Sequence, residues 1–229
     1  EAQDNPADLY KAGKYDESLS IILRELDGFY SSRMLETRIP ESFITLTEKK
    51  EKSDLLELYR NRKEKGFFVE ENARIAELHL LAAECYEKKL EYLSAINHCY
   101  QSLRFRSITP GRDHIVFYRM SGVYTLMKQK TATINCLETA VTLNPQEYSY
   151  SLELGNLLYR SNDPKRAIYH LERFVNQSGE NPEPEIYLKI ANLYEQTGKY
   201  LETQKYLVLY LGQKPANGEI HFALGYIAF

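Results

Sequence analysis

Residues 186–215 read IYLKIANLYEQTGKYLETQKYLVLYLGQKP, from Ile186 to Pro215. A large residue, Ile190, precedes a small one, Ala191, and Tyr194 follows on the same helical face. A polar break at Thr197-Gly198-Lys199 interrupts the apolar spacing. Glycine takes the left-handed conformation that ends a helix at little cost. A second helical pattern then carries Tyr200, Thr203 and Leu207, and Pro215 closes the segment. The stretch predicts two antiparallel helices, brought close where the small residues meet.

The same arrangement recurs along the chain. Leu154-Gly155 is followed by Asn162-Asp163-Pro164, Ala167 and Leu171. Met120-Ser121 is followed by Tyr124, Thr133, Leu137, Ala140 and Pro145. A looser copy has Ala82-Ala83, Tyr86, Tyr92, Ala95 and Cys99. With Leu224-Gly225, the large–small pairs begin at 82, 120, 154, 190 and 224, separations of 38, 34, 36 and 34 residues. Pro145, Gly179 and Pro215 close successive units. A hairpin of this size has an apolar face that it buries only by stacking on the next hairpin.

These residues resemble the tetratricopeptide repeat (TPR), a helix–turn–helix unit of about 34 residues. The closest matches are Tyr150–Phe174 and Ile186–Pro215, and the likeness extends over Ala73–Phe229. Tyr10–Leu26 resembles a turn and second helix behind a shortened first helix. Two departures stand out: tryptophan is absent, and Leu90 occupies the usual turn glycine. The resemblance implies an all-α, right-handed solenoid. Residues 1–72 would form a degenerate repeat with an irregular helical insertion, and residues 73–229 about four repeats with the last truncated. The final stretch IHFALGYIAF then reads as the first helix of a further hairpin, with no polar capping helix after it. It suggests a piece of a longer array or, alternatively, an end that docks on another subunit.

Ser31–Asn72 breaks the period. Pro40 interrupts helix, while Ser53–Gly66 reads as a capped helix. Seven basic and five acidic residues between Glu48 and Lys65 point to a solvated helical face, or to an inserted partner-binding element.

Composition narrows function. A net charge of −3 and a pI near 6.0 disfavour general nucleic-acid binding, which needs a basic surface. No apolar run approaches the roughly 20 residues of a membrane helix. The chain opens Glu1-Ala2-Gln3-Asp4 without methionine, so a leader was removed or the sequence is excised. This tilts the expectation slightly toward export and a periplasmic or envelope setting, against a mild opposite lean from three unpaired cysteines. Cys85, Cys99 and Cys136 lie in helical patterns and read as small apolar fillers.

No phosphate loop, dinucleotide fingerprint, zinc-protease helix or nucleophile elbow occurs in the sequence. His79, His98, His114, His170 and His221 are scattered, and His98-Cys99 point about a hundred degrees apart on a helix. No catalytic residue, cofactor or metal is therefore expected. Asn176-Gln177-Ser178 is a glycosylation sequon, relevant only in a eukaryotic secretory setting.

What remains is surface. The TPR resemblance implies a concave groove, lined by first helices, that takes peptide segments or partner proteins. Helical spacing places one stripe there: Tyr118, Gly122 and Leu126, then Leu152, Asn156 and Arg160, then Leu188, Asn192 and Gln196, then Phe222 and Tyr226. Arg119, Tyr159, Lys189 and Glu195 flank it. Asn156 and Asn192 take the same place in consecutive repeats, and each amide offers a donor and an acceptor to an extended backbone. Leu152 and Leu188 stand where family members that clamp a C-terminal carboxylate carry lysine-type residues, so that clamp is not expected. A second candidate is the Leu103–Arg119 stretch, where Arg104, Arg106 and Arg112 interleave with aromatics. Both features are also compatible with ordinary exposed helix surface and helix-end arginines.

The sequence thus points to a non-catalytic interaction scaffold holding a protein or peptide partner. The alternative is a structural component packing through its ends and N-terminal segment, with self-association through the uncapped C-terminal helix.

Overall fold

The computed structural model describes residues 5–33, 69–105, 112–177 and 182–227. Arg106, Gly179 and most of Ser31–Asn72 lie outside these described residues. Eleven helices occur among them, and no strand. They are α1 (Pro6–Lys11), α2 (Tyr15–Arg33), α3 (Val69–Lys88), α4 (Tyr92–Phe105), α5 (Asp113–Leu126), α6 (Lys130–Leu143), α7 (Tyr148–Arg160), α8 (Pro164–Gln177), α9 (Pro184–Gln196), α10 (Tyr200–Gln213) and α11 (Gly218–Ile227).

Ten of these form five hairpins, each closed by the same turn. Gly13, Leu90, Lys128, Asn162 and Gly198 all have positive φ, between 56° and 77°. In every case the next residue donates its backbone N–H to a carbonyl five positions back. The pairs are Lys14 to Leu9, Glu91 to Tyr86, Gln129 to Tyr124, Asp163 to Leu158 and Lys199 to Tyr194, all at 2.9–3.1 Å. This Schellman bond satisfies a carbonyl that the helix end leaves open. Two turns use glycine and one asparagine, residues that tolerate this conformation. Leu90 and Lys128 adopt it without that advantage, so the departure at Leu90 leaves the turn's geometry intact.

The turn sits at a fixed distance from the large–small pair. Pairs beginning at 82, 120, 154 and 190 are followed by left-handed residues at 90, 128, 162 and 198, eight positions later each time. All variation in the repeat length therefore falls between hairpins.

Small residues sit at the helix crossings as expected. Ala83, Ala95, Ser121, Thr133, Ala167, Ala191 and Thr203 are at most 3% exposed. Gly155 shows why: a Cβ there would lie 2.8 Å from Leu171 Cγ and Cδ2 and 3.1 Å from its backbone nitrogen. Proline punctuates the array. Pro164 and Pro184 open α8 and α9, where a missing N–H costs no helical bond. Asn144 and Lys214, each before a proline, leave helical geometry at φ −133° and −127°.

The chain divides into two compact units, Glu1–Asn144 and Pro145–Phe229. In the first, Leu19, Ile22 and Leu26 of α2 pack with Ile75, Leu78 and Ala82 of α3 and Phe105 of α4. Val116, Phe117, Met120, Cys136, Leu137 and Ala140 are buried in its α5/α6 hairpin. In the second, Leu154, Leu158, Leu171, Ile190, Leu193 and Leu207 are buried, together with Tyr194, Tyr206 and Tyr210. There Glu172 of α8 accepts hydrogen bonds from Tyr194 Oη (2.6 Å) and Tyr206 Oη (2.8 Å), tying one hairpin to the next. That shared carboxylate and burial push both phenol pKa values up, burial having the larger effect. All three cysteines are buried and unpaired, as apolar fillers would be. Burial pushes the Cys99 thiol up to about 12.

The last helix differs. None of the described residues of α11 is buried, and Phe222 and Tyr226 are 79% and 80% exposed. A Cβ added at Gly225 meets nothing within 4 Å.

Candidate functional site

In the second unit, α7 and α9 are the first helices of consecutive hairpins and lie beside one another. Their buried faces carry Leu154, Leu158, Ile190 and Ala191. Asn156 and Asn192, each one position after the small residue of its pair, are half-buried at the edge of that face. Lys189 Nζ of α9 donates to Asn156 Oδ1 of α7 at 2.7 Å. Two residues singled out from different repeats are thereby joined. The bond occupies one lone pair of Asn156 and holds its amide orientation, with the NH2 group as a further donor. Leu152, Tyr159 and Leu188 are half-buried, while Arg160, Glu195 and Gln196 are exposed. Phe222 and Tyr226 continue the series on α11. Glu195, Tyr200, Tyr226 and Ile227 line a hollow of about 710 Å³ in this unit.

In the first unit, Tyr118 and Leu126 of α5 are 39% and 48% exposed. Half-buried Arg119 is committed within the chain. Its guanidinium lies 2.6 Å from Glu84 and 3.4 Å from Glu87, both on α3. The geometry makes Arg119 a brace between first helices. Two of the other arginines, Arg104 and Arg112, are among the described residues. Arg104 is half-buried with its guanidinium 5.7 Å from the Phe105 ring centroid, and Arg112 lies 3.7 Å from Glu77.

Sequence reasoning treated the histidines as scattered, yet the fold joins two of them. His79 Nδ1 lies 2.9 Å from His98 Nδ1, and His79 Nε2 lies 2.7 Å from Tyr30 Oη. The signal was present. Residues 79 and 98 lie at comparable distances on either side of the α3/α4 turn, so an antiparallel hairpin brings them level. No group of three or more His, Cys, Asp or Glu residues positioned to hold a metal ion occurs among the described residues. No helix among them is long and apolar enough to cross a membrane.

No family model and no curated protein matches the sequence. Solved structures do match in fold. MamA is 14% identical with a TM-score of 0.57, over 94% of this chain and 97% of that one. MamA 41-end from Desulfovibrio magneticus RS-1 is 15% identical with a TM-score of 0.51, over 67% and 83% of the two chains. YrrB, described as a TPR protein with an unusual peptide-binding site, is 14% identical with a TM-score of 0.55, over 95% and 87%. Five identically closed hairpins, small residues at their crossings and these matches lead to one conclusion: the chain has the tetratricopeptide-repeat fold.

Proposed function

We propose that this protein is a non-catalytic scaffold that holds an extended segment of a partner protein along the first helices of its repeats. The observation that carries the reading is the Asn156–Lys189 bond beside Asn192. By sequence spacing the two amides share one register in consecutive repeats, with Leu152 and Leu188 as apolar neighbours. Amides spaced by a repeat suit the backbone of an extended peptide, and leucines one turn before them suit its apolar side chains. The description of YrrB as a TPR protein with an unusual peptide-binding site supports a binding role in general.

The test is quantitative capture from native lysate with the full chain, against an Asn156→Ala/Asn192→Ala variant of unchanged helicity. The expected result is selective loss of one partner, followed by at least tenfold weaker binding of that purified partner. Identical partners and affinities for the two proteins would sink the reading.

A second reading, assembly through the chain's ends, is favoured by Phe222 and Tyr226 on α11. Sedimentation of the full chain against a Phe222→Ser/Tyr226→Ser variant tests it: the expected outcome is a larger species lost only in the variant.

A further inference from the structure

A second set of polar groups lies away from the first-helix stripe, in the first unit. A cleft of about 280 Å³ opens between α2 and α4 over His79 of α3. Its walls include Leu23, Leu26 and Tyr30 of α2, and Asn97, His98 and Gln101 of α4. Asn97 and Gln101 are four apart and share one face of α4.

Gln101 is 1% exposed, and neither end of its amide has a hydrogen-bond partner. Asn97 Oδ1 is likewise out of solvent and unpartnered. Buried polar groups are nearly always hydrogen-bonded, because leaving them bare forfeits their hydration. The neighbouring groups do not satisfy them. Tyr30, His79 and His98 are already bonded in series through both His79 nitrogens and His98 Nδ1. His79 stacks on Phe105 and His98 on Tyr86, which fixes both rings. Burial holds both histidines uncharged near neutral pH, His98 down to about 4.

The unmet groups are two acceptors, Asn97 Oδ1 and Gln101 Oε1, and one donor, Gln101 Nε2. A primary carboxamide offers the complement: two N–H donors and one carbonyl acceptor. Exchanging the two ends of Gln101 leaves the count unchanged. A carboxylate brings no donor and would face the Asp27 carboxylate that also lines the cleft. An ammonium brings no acceptor for Gln101 Nε2. A single water could balance three bonds, but at about 30 Å³ it would leave most of the cleft to be filled, room enough for a larger molecule. Leu23, Leu26 and the Tyr30 ring suit an aliphatic stem behind the polar head.

We propose that the α2/α4 cleft is a binding site for a primary carboxamide, paired head-on with the Gln101 amide and held by Asn97. The source is either a small free carboxamide or an Asn or Gln side chain of a partner. The site is independent of the first-helix stripe.

Propionamide is the probe, titrated into the isotope-labelled full chain by NMR. Saturable shifts of the Gln101 side-chain NH2 and His98 ring signals are expected. Propionate and N,N-dimethylpropionamide, lacking the two N–H donors, should leave them unmoved. Gln101→Met keeps bulk and removes both amide atoms, and should weaken binding at least tenfold. If that variant does not fold, Asn97→Leu replaces it with the same expectation. Acetyl-Ala-Gln-Ala-N-methylamide, compared with its Glu counterpart, separates the sources. Tighter binding than propionamide assigns a partner side chain; propionamide binding alone assigns a small ligand. The proposal is overturned if neither carboxamide gives saturable shifts, as with a water-filled cleft. An equal response to the controls, or unchanged affinity in the folded variant, overturns it too.

Discussion

Leu154-Gly155 and Leu224-Gly225 occupy the same place in the repeat and have opposite surroundings. Gly155 lies against Leu171 so closely that a Cβ would collide with its side chain and press on its backbone. Gly225 meets nothing, and no described residue of its helix is buried. The pair is therefore not intrinsically a packing element. It becomes one when the second helix of its hairpin lies across it, as α8 lies across α7. Leu154 is fully buried in that arrangement, whereas none of the described residues of α11 is buried.

The largest effect expected along this contrast lies at Glu172, whose carboxylate holds two buried phenols from the following hairpin. Glu172→Ala leaves both hydroxyls bare and should cost about 3 kcal/mol in urea unfolding. A loss below about 1 kcal/mol would show that stacking alone joins these hairpins. Next comes Gly155→Ala. Overpacking against Leu171 predicts a loss of about 1–3 kcal/mol, whereas Gly225→Ala should be neutral or gain up to about 1 kcal/mol from helix propensity. Opposite signs at equivalent positions would sharpen the comparison, and equal signs would break it. Leu90→Gly is the smallest, a gain of about 0.5–1 kcal/mol, since glycine relieves the left-handed strain at φ 63° while loosening the unfolded chain. Thermal unfolding at matched concentration reads it, and an unchanged midpoint would mean that the turn bears no strain.

Much of the fold was legible because its determinants are local. Small residues at the crossings, prolines at the helix starts and the large–small pairs recur at a readable period. The turn at Leu90 was less legible. Residue type there argues against a left-handed conformation, and the backbone itself, with φ 63° and the bond from Glu91 to Tyr86, reveals that it is kept. The stripe residues could be placed on a helix face, because one face follows from spacing alone. Their bonding could not. Lys189 reaching Asn156, and Arg119 reaching Glu84 and Glu87, depend on how neighbouring hairpins lean on each other. The His79–His98 contact escaped notice because residues 19 apart in sequence become neighbours only when the hairpin's pairing is followed inward from its turn.

The fixed eight-residue step from pair to turn also determines where such a chain can grow. An extra residue inside that step would pull the left-handed residue out of place and unmake the bond that closes the hairpin. The same residue inserted after a second helix meets no such constraint, and the 38- and 36-residue spacings show that length does vary there. Loops could be grafted at those junctions, or hairpins added and removed, with the internal geometry of each remaining hairpin preserved.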